Sequence, residues 1–294
     1  MKVLDFGSLN YDYVYHVDHA VTPGETLDSS SLDTFFGGKG LNQAISLARA
    51  GAEVYLAGQV GEEGAPFIDL CKKSGVRADY VKTVPGKSGH AIIQLDKNAQ
   101  NCILLYGGAN RKQTRENIDA VLSHFEKGDI LLLQNEINEL DYIIDKAYER
   151  GLQIALNPSP FDDALKACDL KKISIFLLNE IEGEQISGET EPEKILDAMS
   201  SKYPEARIVL TLGSDGVIYR DKNETHKQGI FKVKAVDTTA AGDTFTGYFL
   251  ASLCRNVPIK DALVLCAKAS AITVSRMGAT DSIPTLKEVE AASL

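Results

Sequence analysis

The sequence has no long apolar run and no clustered cysteines, and each absence excludes a class of protein. The longest apolar stretches are far shorter than the roughly 20 residues that a membrane-spanning helix needs. The five cysteines are widely spaced, with no CxxC pair and no zinc-binding spacing. This favours reduced, buried thiols in a cytoplasmic protein. Residues 1–10 are predicted to begin a strand, and we expect no signal peptide there.

Positive charge is also scarce. The formal net charge of -10 argues against a nucleic-acid binder, which usually needs a basic face. It does not exclude an anionic substrate, because backbone N–H groups and a metal ion can hold phosphate. With 294 residues, 44% hydrophobic and 24% charged, and no low-complexity tract or internal repeat, the chain is predicted to form a single domain over residues 1–294.

Short apolar runs alternate with helical patterns along most of the chain. Strands are predicted at residues 2–7, 53–61, 129–134, 153–157, 174–179 and 207–213. Helices are predicted at residues 41–50 and 65–75, and further helical stretches lie between most of the later strands. The alternation predicts an α/β fold, with a doubly wound, mainly parallel sheet covered by helices on both faces.

Four predicted strands end in a polar residue or glycine, namely Gln134, Asn157, Asn179 and Gly213. In open α/β sheets, ligands bind beyond the carboxyl ends of the strands. These residues are therefore site candidates, although they are equally compatible with simple strand termination.

Two β segments break the alternation. Residues 90–107 are typical of a hairpin around a polar turn at 96–101, and residues 12–17 alternate like a strand with one exposed face. Together they predict a small β-sheet lid, formed by residues 10–35 and 88–107 approximately, that covers a site.

Glycines precede the helix at residues 41–50, in the stretch FFGGKGLNQA. Glycine permits positive φ and close approach of a ligand to the backbone. The stretch is neither a Walker A loop nor GxGxxG, which disfavours a dehydrogenase. A structural turn explains it equally well, but Asn42 lies beside the apolar stripe and is predicted to face a ligand.

Asn10 and Asp12 follow the first strand and, two residues apart in an extended chain, point to the same side. That placement suits the vicinal hydroxyls of a sugar. An Asx turn is the alternative interpretation.

The stretch VDTTAAGDTF places Asp243 in the first turn of an apolar helix, directly after small residues. Small residues would leave the N–H groups of Ala241, Gly242 and Asp243 free, and a helix N-terminus attracts anions. Asp243 is either a helix cap or a base that accepts a hydroxyl proton beside a phosphate. The three small residues favour the base, since a cap does not need them.

With these stretches in view, the chain resembles the ribokinase-like (PfkB) family of carbohydrate kinases over nearly its whole length. The motifs that carry the resemblance are GSLNYDY, TPGET, GGKGLNQA, YGGAN, LQNE, LNPSP, LLNEIEGEQISG, LTLGSDGV, VDTTAAGDTFTGYF and SRMGATDSIP.

The resemblance implies an ATP-dependent sugar kinase, with D-ribose as the leading acceptor. It assigns Asp243 as the catalytic base and the N–H groups of Ala240, Ala241, Gly242 and Asp243 as an anion hole. The positions matching sugar contacts are Asn10, Asp12, Gly38, Lys39, Asn42 and Glu136. Near the nucleotide, the matching positions are Asn179, Thr211, Gly213 and Gly216, with Glu182 organising Mg²⁺ largely through water.

The resemblance further implies a monovalent cation, usually K⁺, held partly by backbone carbonyls. The matching positions are Asp237, Thr239, Thr273, Arg276, Gly278 and Ser282. It also implies a homodimer that pairs through the lid, a small-molecule sugar as the ligand, and no nucleic-acid or membrane partner.

Two departures from the family pattern bear on the acceptor. Tyr11 stands where a smaller residue is usual and is expected to alter the sugar pocket or its rim. Arg111 would suit a phosphorylated or acidic sugar if it points inward, and His90 is a candidate substrate contact. Other acceptors (fructose, a keto-deoxy sugar acid, a phosphosugar or a nucleoside) therefore stay open, as does a non-catalytic sugar-binding sensor.

Overall fold

The computed structural model describes residues 1–98 and 100–294. The strands are β1 (Val3–Phe6), β2 (Asn10–Val17), β3 (Ser31–Gly37), β4 (Val54–Val60), β5 (Arg77–Thr83), β6 (Gly89–Asp96), β7 (Asn101–Tyr106), β8 (Ile130–Gln134), β9 (Gln153–Asn157), β10 (Ile175–Asn179), β11 (Arg207–Thr211), β12 (Val217–Arg220) and β13 (Thr225–Gln228). The α-helices are α1 (Lys39–Arg49), α2 (Ala65–Lys73), α3 (Arg115–Leu122), α4 (Leu140–Glu149), α5 (Asp163–Lys166), α6 (Glu180–Ser187), α7 (Pro192–Lys202), α8 (Ala241–Cys254), α9 (Ile259–Val274) and α10 (Leu286–Ala291).

The large sheet has the strand order β13-β12-β11-β10-β9-β8-β1-β4-β5. Neighbours from β11 to β5 run parallel, and β12 and β13 join as antiparallel strands. This arrangement confirms the predicted fold class. It also brings the carboxyl ends of β1, β8, β9, β10 and β11 to one edge, where ligands bind in such sheets.

Two hydrophobic cores cover the large sheet, one on each face. One core packs apolar side chains of α1, α2, α8, α9 and α10 against the strands. The other packs α3, α4, α5, α6 and α7 against the opposite face. Because each fully buried large apolar side chain contributes about 1.5–3 kcal/mol, the cores fix the strand ends on which the polar residues sit.

The small sheet has the order β3-β2-β6-β7. The predicted hairpin is present, since β6 and β7 pair antiparallel; its turn includes Ala99, which lies outside the described residues. The expected one-sided exposure of β2 is wrong, because residues 11–17 are half-buried on both faces. By contrast, all six residues of β7 at the edge of the sheet are exposed.

In the described part of the chain, no helix is both long enough and apolar enough to span a membrane.

Candidate active site

Asp243 lies in the first turn of α8 and is buried, with 8% of its surface exposed. Its two carboxylate oxygens accept hydrogen bonds from Asn42 Nδ2 at 2.9 Å and Gln43 Nε2 at 2.8 Å, both on α1. The helix begins at Ala241, and the residue before it, Ala240, makes no side-chain cap. Among the described residues, then, Asp243 does not cap its helix, which leaves its carboxylate for another role.

The chain enters α8 through Ala240, which has a left-handed backbone conformation with φ of 60°. Within the described residues, the N–H groups of Gly242 and Asp243 have no protein acceptor. The expectation for Ala241 is wrong, because its N–H donates to the Thr238 carbonyl at 3.3 Å across the turn that starts the helix. Two open N–H groups therefore lie at the positive end of the helix dipole, where an anion is stabilised.

A cavity of about 240 Å³ opens at this end of α8. The polar residues that line it include Lys39, Asn157, Asn179, Glu182, Thr211 and Asp243. The predicted polar ends of β9 and β10 thus meet the start of α8. A larger cavity of about 520 Å³ lies at the amino ends of β8, β9 and β11, beside Met1 and Lys260, and contains none of the predicted site residues.

Lys39 begins α1 and extends its side chain into the smaller cavity. Burial disfavours its charge, but the carboxylates of Asp243, Glu136 and Glu182 outweigh burial and raise its pKa. Lys39 is therefore an ammonium ion among three carboxylates, suited to an incoming anion.

Glu136 accepts hydrogen bonds at Oε2 from the Lys39 N–H at 3.1 Å and from the Ser8 hydroxyl. A carboxylate at the N-terminus of α1 satisfies a free donor and complements the helix dipole. The backbone N–H of Gly40 donates to Ser8 Oγ at 3.3 Å, so the loop after β1 also supports this helix end.

Asp12 lies in β2 beside this helix end. Burial, together with the negative charges of Glu136 and Asp243, raises the pKa of Asp12 to about 7. Gly37 on the paired strand gives the carboxylate its space, because a Cβ there would lie 2.0 Å from Asp12 Oδ2.

Asn10 is buried in the first position of β2, and its Oδ1 accepts a hydrogen bond from Asn110 Nδ2 at 2.7 Å. Asn110 in turn accepts the Leu9 N–H at 3.0 Å. The Asx-turn interpretation is therefore wrong for Asn10. Sequence reasoning did not single out Asn110, although it ends the quoted YGGAN motif.

Asn179 and Glu182 form a capping box at the start of α6. The Glu182 N–H donates to Asn179 Oδ1 at 3.0 Å, and Glu182 Oε2 accepts the Asn179 N–H at 3.0 Å. Glu182 is 7% exposed and faces the smaller cavity. Carboxylate and amide oxygens here are ligands that Mg²⁺ accepts directly or through water.

The loop after β11 carries the other predicted nucleotide positions. Thr211 ends the strand, and its hydroxyl donates to the Leu178 carbonyl at 3.3 Å. Gly213 and Gly216 have φ of 51° and 97°. A Cβ on Gly216 would lie 2.1 Å from the Gln228 carbonyl oxygen, so the loop requires glycine there.

The predicted cation positions come from two loops that Asp237 joins. Its carboxylate accepts the Thr239 N–H at 2.9 Å and the Gly278 N–H at 3.0 Å. Three other side chains of the set are already bonded: Thr273 to Thr244, Arg276 to Glu288 and Ser282 to the Ala279 carbonyl. The oxygens left for a hard monovalent cation are carbonyls, the Asp237 carboxylate and the Thr239 hydroxyl, which fits the expected type of site.

Three residues that raised questions about the acceptor make their contacts with other parts of the protein. The Tyr11 ring packs 4.4 Å from the Phe67 ring, and its hydroxyl donates to the Glu63 carbonyl. His90 pairs with Tyr11 across the strands and lies near Tyr106. Arg111 is exposed and donates to the Ile137 carbonyl at 2.8 Å. These contacts do not support a phosphorylated or acidic sugar.

The pattern analysis also missed a chain of buried side chains behind Asp243. Gln43, Gln134 and Asp5 are all fully buried and joined by hydrogen bonds. In the sequence, Gln134 is recognisable only as a polar strand end, and Asp5 lies inside an apolar strand that carries no signal of a site.

Comparison with known proteins places this chain among carbohydrate kinases. A model of the pfkB family of carbohydrate kinases matches residues 2–286. The chain is similar to ribokinase of Schizosaccharomyces pombe, with 34% identity over 99% of this chain and 97% of that protein. It is similar to ribokinase of Staphylococcus aureus, with 36% identity and 98% of each protein covered. The solved structure of Arabidopsis thaliana ribokinase, complexed with ribose and ATP, matches with a TM-score of 0.86 at 29% identity, over 98% of this chain and 97% of that one.

Proposed function

Because the chain belongs to the pfkB family of carbohydrate kinases and is thus a phosphotransferase with an alcohol acceptor, we propose that it transfers the γ-phosphoryl group of ATP to D-ribose, forming D-ribose 5-phosphate. The names of the two relatives and the ribose and ATP of the Arabidopsis complex support this donor and acceptor. The observation that carries the proposal is the buried carboxylate of Asp243, which accepts two amide hydrogen bonds and lies beside the open N–H groups of Gly242 and Asp243.

The reaction needs a base and a set of donors that stabilise negative charge on the phosphoryl group. A ribose hydroxyl attacks the γ-phosphorus, its proton passes to Asp243, and the bond between the γ-phosphorus and the bridging oxygen of ADP breaks. The N–H groups of Gly242 and Asp243, with the Lys39 ammonium, face the developing charge. Ala240 and Ala241 shape the turn that exposes those N–H groups.

The sugar binds between β2 and the N-terminus of α1. Asp12 and Glu136 accept hydrogen bonds from its hydroxyl groups, while Asn10, Gly38 and Lys39 line the same loop and strand ends. Asn42 contacts both the base and the sugar. Its Nδ2 donates to Asp243, and its buried Oδ1 has no protein donor among the described residues. A buried amide oxygen without a partner is costly, so a sugar hydroxyl is its natural donor.

ATP binds along the carboxyl ends of β10 and β11, beside Asn179, Thr211, Gly213 and Gly216. Mg²⁺, when bound, neutralises the charge of the phosphates, and Glu182 with Asn179 would hold it there through water. Asp237 and the carbonyls of the predicted cation set would hold K⁺, which supports the loop that enters α8.

The small sheet acts as the lid and as the contact between two copies of the chain. The exposed apolar residues of its edge strand are Ile103, Leu104, Leu105 and Tyr106, each at least half exposed. An exposed apolar edge strand favours pairing with another strand. The chain works as a single kinase domain over residues 1–294 in the cytoplasm, with no nucleic-acid or membrane partner.

A panel of acceptors tests the proposal. D-ribose, 2-deoxy-D-ribose, D-fructose, a keto-deoxy sugar acid, D-fructose 6-phosphate and adenosine are each supplied with ATP and Mg²⁺, with and without K⁺, and ADP release is measured. We expect the highest kcat/KM with D-ribose and a higher rate with K⁺. A higher kcat/KM for another acceptor would overturn the ribose assignment, and ribose binding without turnover of any acceptor would indicate a sensor.

A further inference from the structure

Behind Asp243 runs a continuous line of side-chain hydrogen bonds through the core. Gln43 Nε2 donates to Asp243 Oδ1 at 2.8 Å, and Gln134 Nε2 donates to Gln43 Oε1 at 2.8 Å. Gln134 Nε2 also donates to Asp5 Oδ1 at 3.0 Å. Asp5, Gln134 and Gln43, here called the amide chain, have no exposed surface. Side chains from β1, β8 and α1 thus converge on one carboxylate oxygen of α8.

The order of donors and acceptors fixes the direction of each amide. The side-chain NH₂ group of Gln134 donates one hydrogen bond to Asp5 and one to Gln43. Because the Gln43 oxygen receives a proton donor, its NH₂ group has to face Asp243. If the Gln43 amide were reversed, its oxygen would face the carboxylate and two acceptors would meet, which is costly in a buried site.

The far end of the amide chain is the carboxyl group of Asp5, which accepts the Gln134 N–H. Burial raises the pKa of Asp5 well above its usual range, and the charge of Asp243 raises it further. The titratable groups that face Asp243 are therefore Asp5 from β1, Asp12 from β2 and the Lys39 ammonium from α1. Lys39 attracts the carboxylate from the cavity side, and the amide chain holds it from the core side.

We propose that Gln43 is a positioning residue for the base, and that Asp5, acting through Gln134, sets the direction of the Gln43 amide so that an N–H always faces Asp243. The bond holds the Asp243 carboxylate in one orientation, ready to accept the hydroxyl proton. A donor to the charged form lowers the pKa of a carboxyl group, so losing this donor raises the pKa of Asp243. The proposal rests on Asp243 being the base of the proposed kinase.

The test compares three variants with the same chemical change. Gln43→Met removes the donor, Gln134→Met releases the Gln43 amide, and Gln113→Met changes a buried glutamine with no bond to the amide chain among the described residues. The pKa of Asp243 is measured by ¹³C NMR of carboxyl-labelled aspartate, with the resonance assigned by its loss in Asp243→Asn. This pKa measurement requires no turnover, so it remains valid even if D-ribose is not the acceptor.

We expect Gln43→Met to raise the pKa of Asp243 by about one to two units, because a hydrogen bond to a charged group is worth that much. The acidic limb of the pH profile of kcat should shift to higher pH by the same amount, and kcat should recover at high pH. The KM for D-ribose should stay within about twofold of wild type. Gln134→Met should shift the pKa less, and Gln113→Met should leave it unchanged.

An unchanged pKa in Gln43→Met, or equal shifts in Gln43→Met and Gln113→Met, would overturn the proposal. A lower melting temperature without a shifted pH profile would assign Gln43 a purely structural role. If Gln43→Met does not fold, Gln134→Met decides, since it leaves every group that contacts Asp243 in place.

Discussion

The start of α8 and the edge of the small sheet are built in opposite ways. At the start of α8 the carboxylate of Asp243 is buried and held by two amide donors before any ligand binds. At the edge of the small sheet, β7 exposes all six residues, four of them apolar and consecutive. Under the proposed function, we expect the chemical step to depend on this preformed site, and we propose that the small sheet becomes complete as a lid only on contact with substrate or a second copy.

The largest effect should come from the preformed region. Asp243→Asn removes the proton acceptor but keeps the shape, so we expect kcat to fall by about 10²–10⁴-fold. The dissociation constant for D-ribose, measured by calorimetry, should change by less than about threefold. The control is Asp163→Asn, at a side chain that is 97% exposed on α5. A kcat within tenfold of wild type would contradict this account, because the site at the start of α8 would then not supply the catalytic base.

The second largest effect is expected from Gly37, a residue of the small sheet that contacts the sugar site. Gly37→Ala places a methyl group against Asp12 Oδ2, which must move. We expect the D-ribose KM to rise by about 10–100-fold, the value of a hydrogen bond to a charged group, with a much smaller change in kcat. Gly229→Ala is the matched control, since a Cβ there meets nothing within 4 Å. Equal KM values in the two variants would remove Asp12 from the sugar site.

The pH dependence of sugar binding tests the same carboxylate without a mutation. Burial raises the pKa of Asp12 to about 7, and its ionised form accepts stronger hydrogen bonds from sugar hydroxyls than its protonated form does. Raising the pH from 6 to 8 should therefore lower the dissociation constant for D-ribose by about tenfold, because the ionised fraction grows by that factor. Calorimetry on wild type and Asp12→Asn provides the test. A flat profile in wild type, or the same slope in both proteins, would contradict it.

The smallest effect on catalysis should come from the exposed region. Leu104→Glu adds a charge to a residue that is 68% exposed on β7. We expect light scattering to show a dimer in wild type and a monomer in this variant, with kcat/KM reduced only about two- to fivefold. Tyr148→Glu changes a side chain 56% exposed on α4 and should leave the dimer intact. A monomeric wild type would assign the apolar strand a different role.

The sequence was most informative where a local pattern determines the structure. Small residues before Asp243 predicted an open helix end. Asn179 was predicted to be a polar strand end, and the structure joins it to Glu182 in a capping box at the start of α6. The alternation of apolar runs predicted the large sheet, and two β-rich segments around a polar turn predicted the β6–β7 hairpin. Each of these predictions depends on a pattern among residues close in sequence.

Long-range contacts explain what the sequence did not reveal. Gln43 and Asp243 are 200 positions apart, and Gln134 and Asp5 are 129 apart, so no local spacing links them. The polar strand β3 carries no apolar alternation, and the parallel pairing of β2 with β6 depends on the path of the chain between them. The packing of Tyr11 on Phe67 likewise follows from where α2 lies.

The most direct test of the central claim measures the chemical step itself. Wild type and Asp243→Asn, each in excess over γ-labelled ATP and saturated with D-ribose, Mg²⁺ and K⁺, are quenched at increasing times and the labelled sugar phosphate is counted. We predict that wild type forms D-ribose 5-phosphate in a single turnover, while Asp243→Asn binds both substrates and forms it at least about 100-fold more slowly. Equal rates of labelled product in the two proteins would contradict the role of Asp243 as the base.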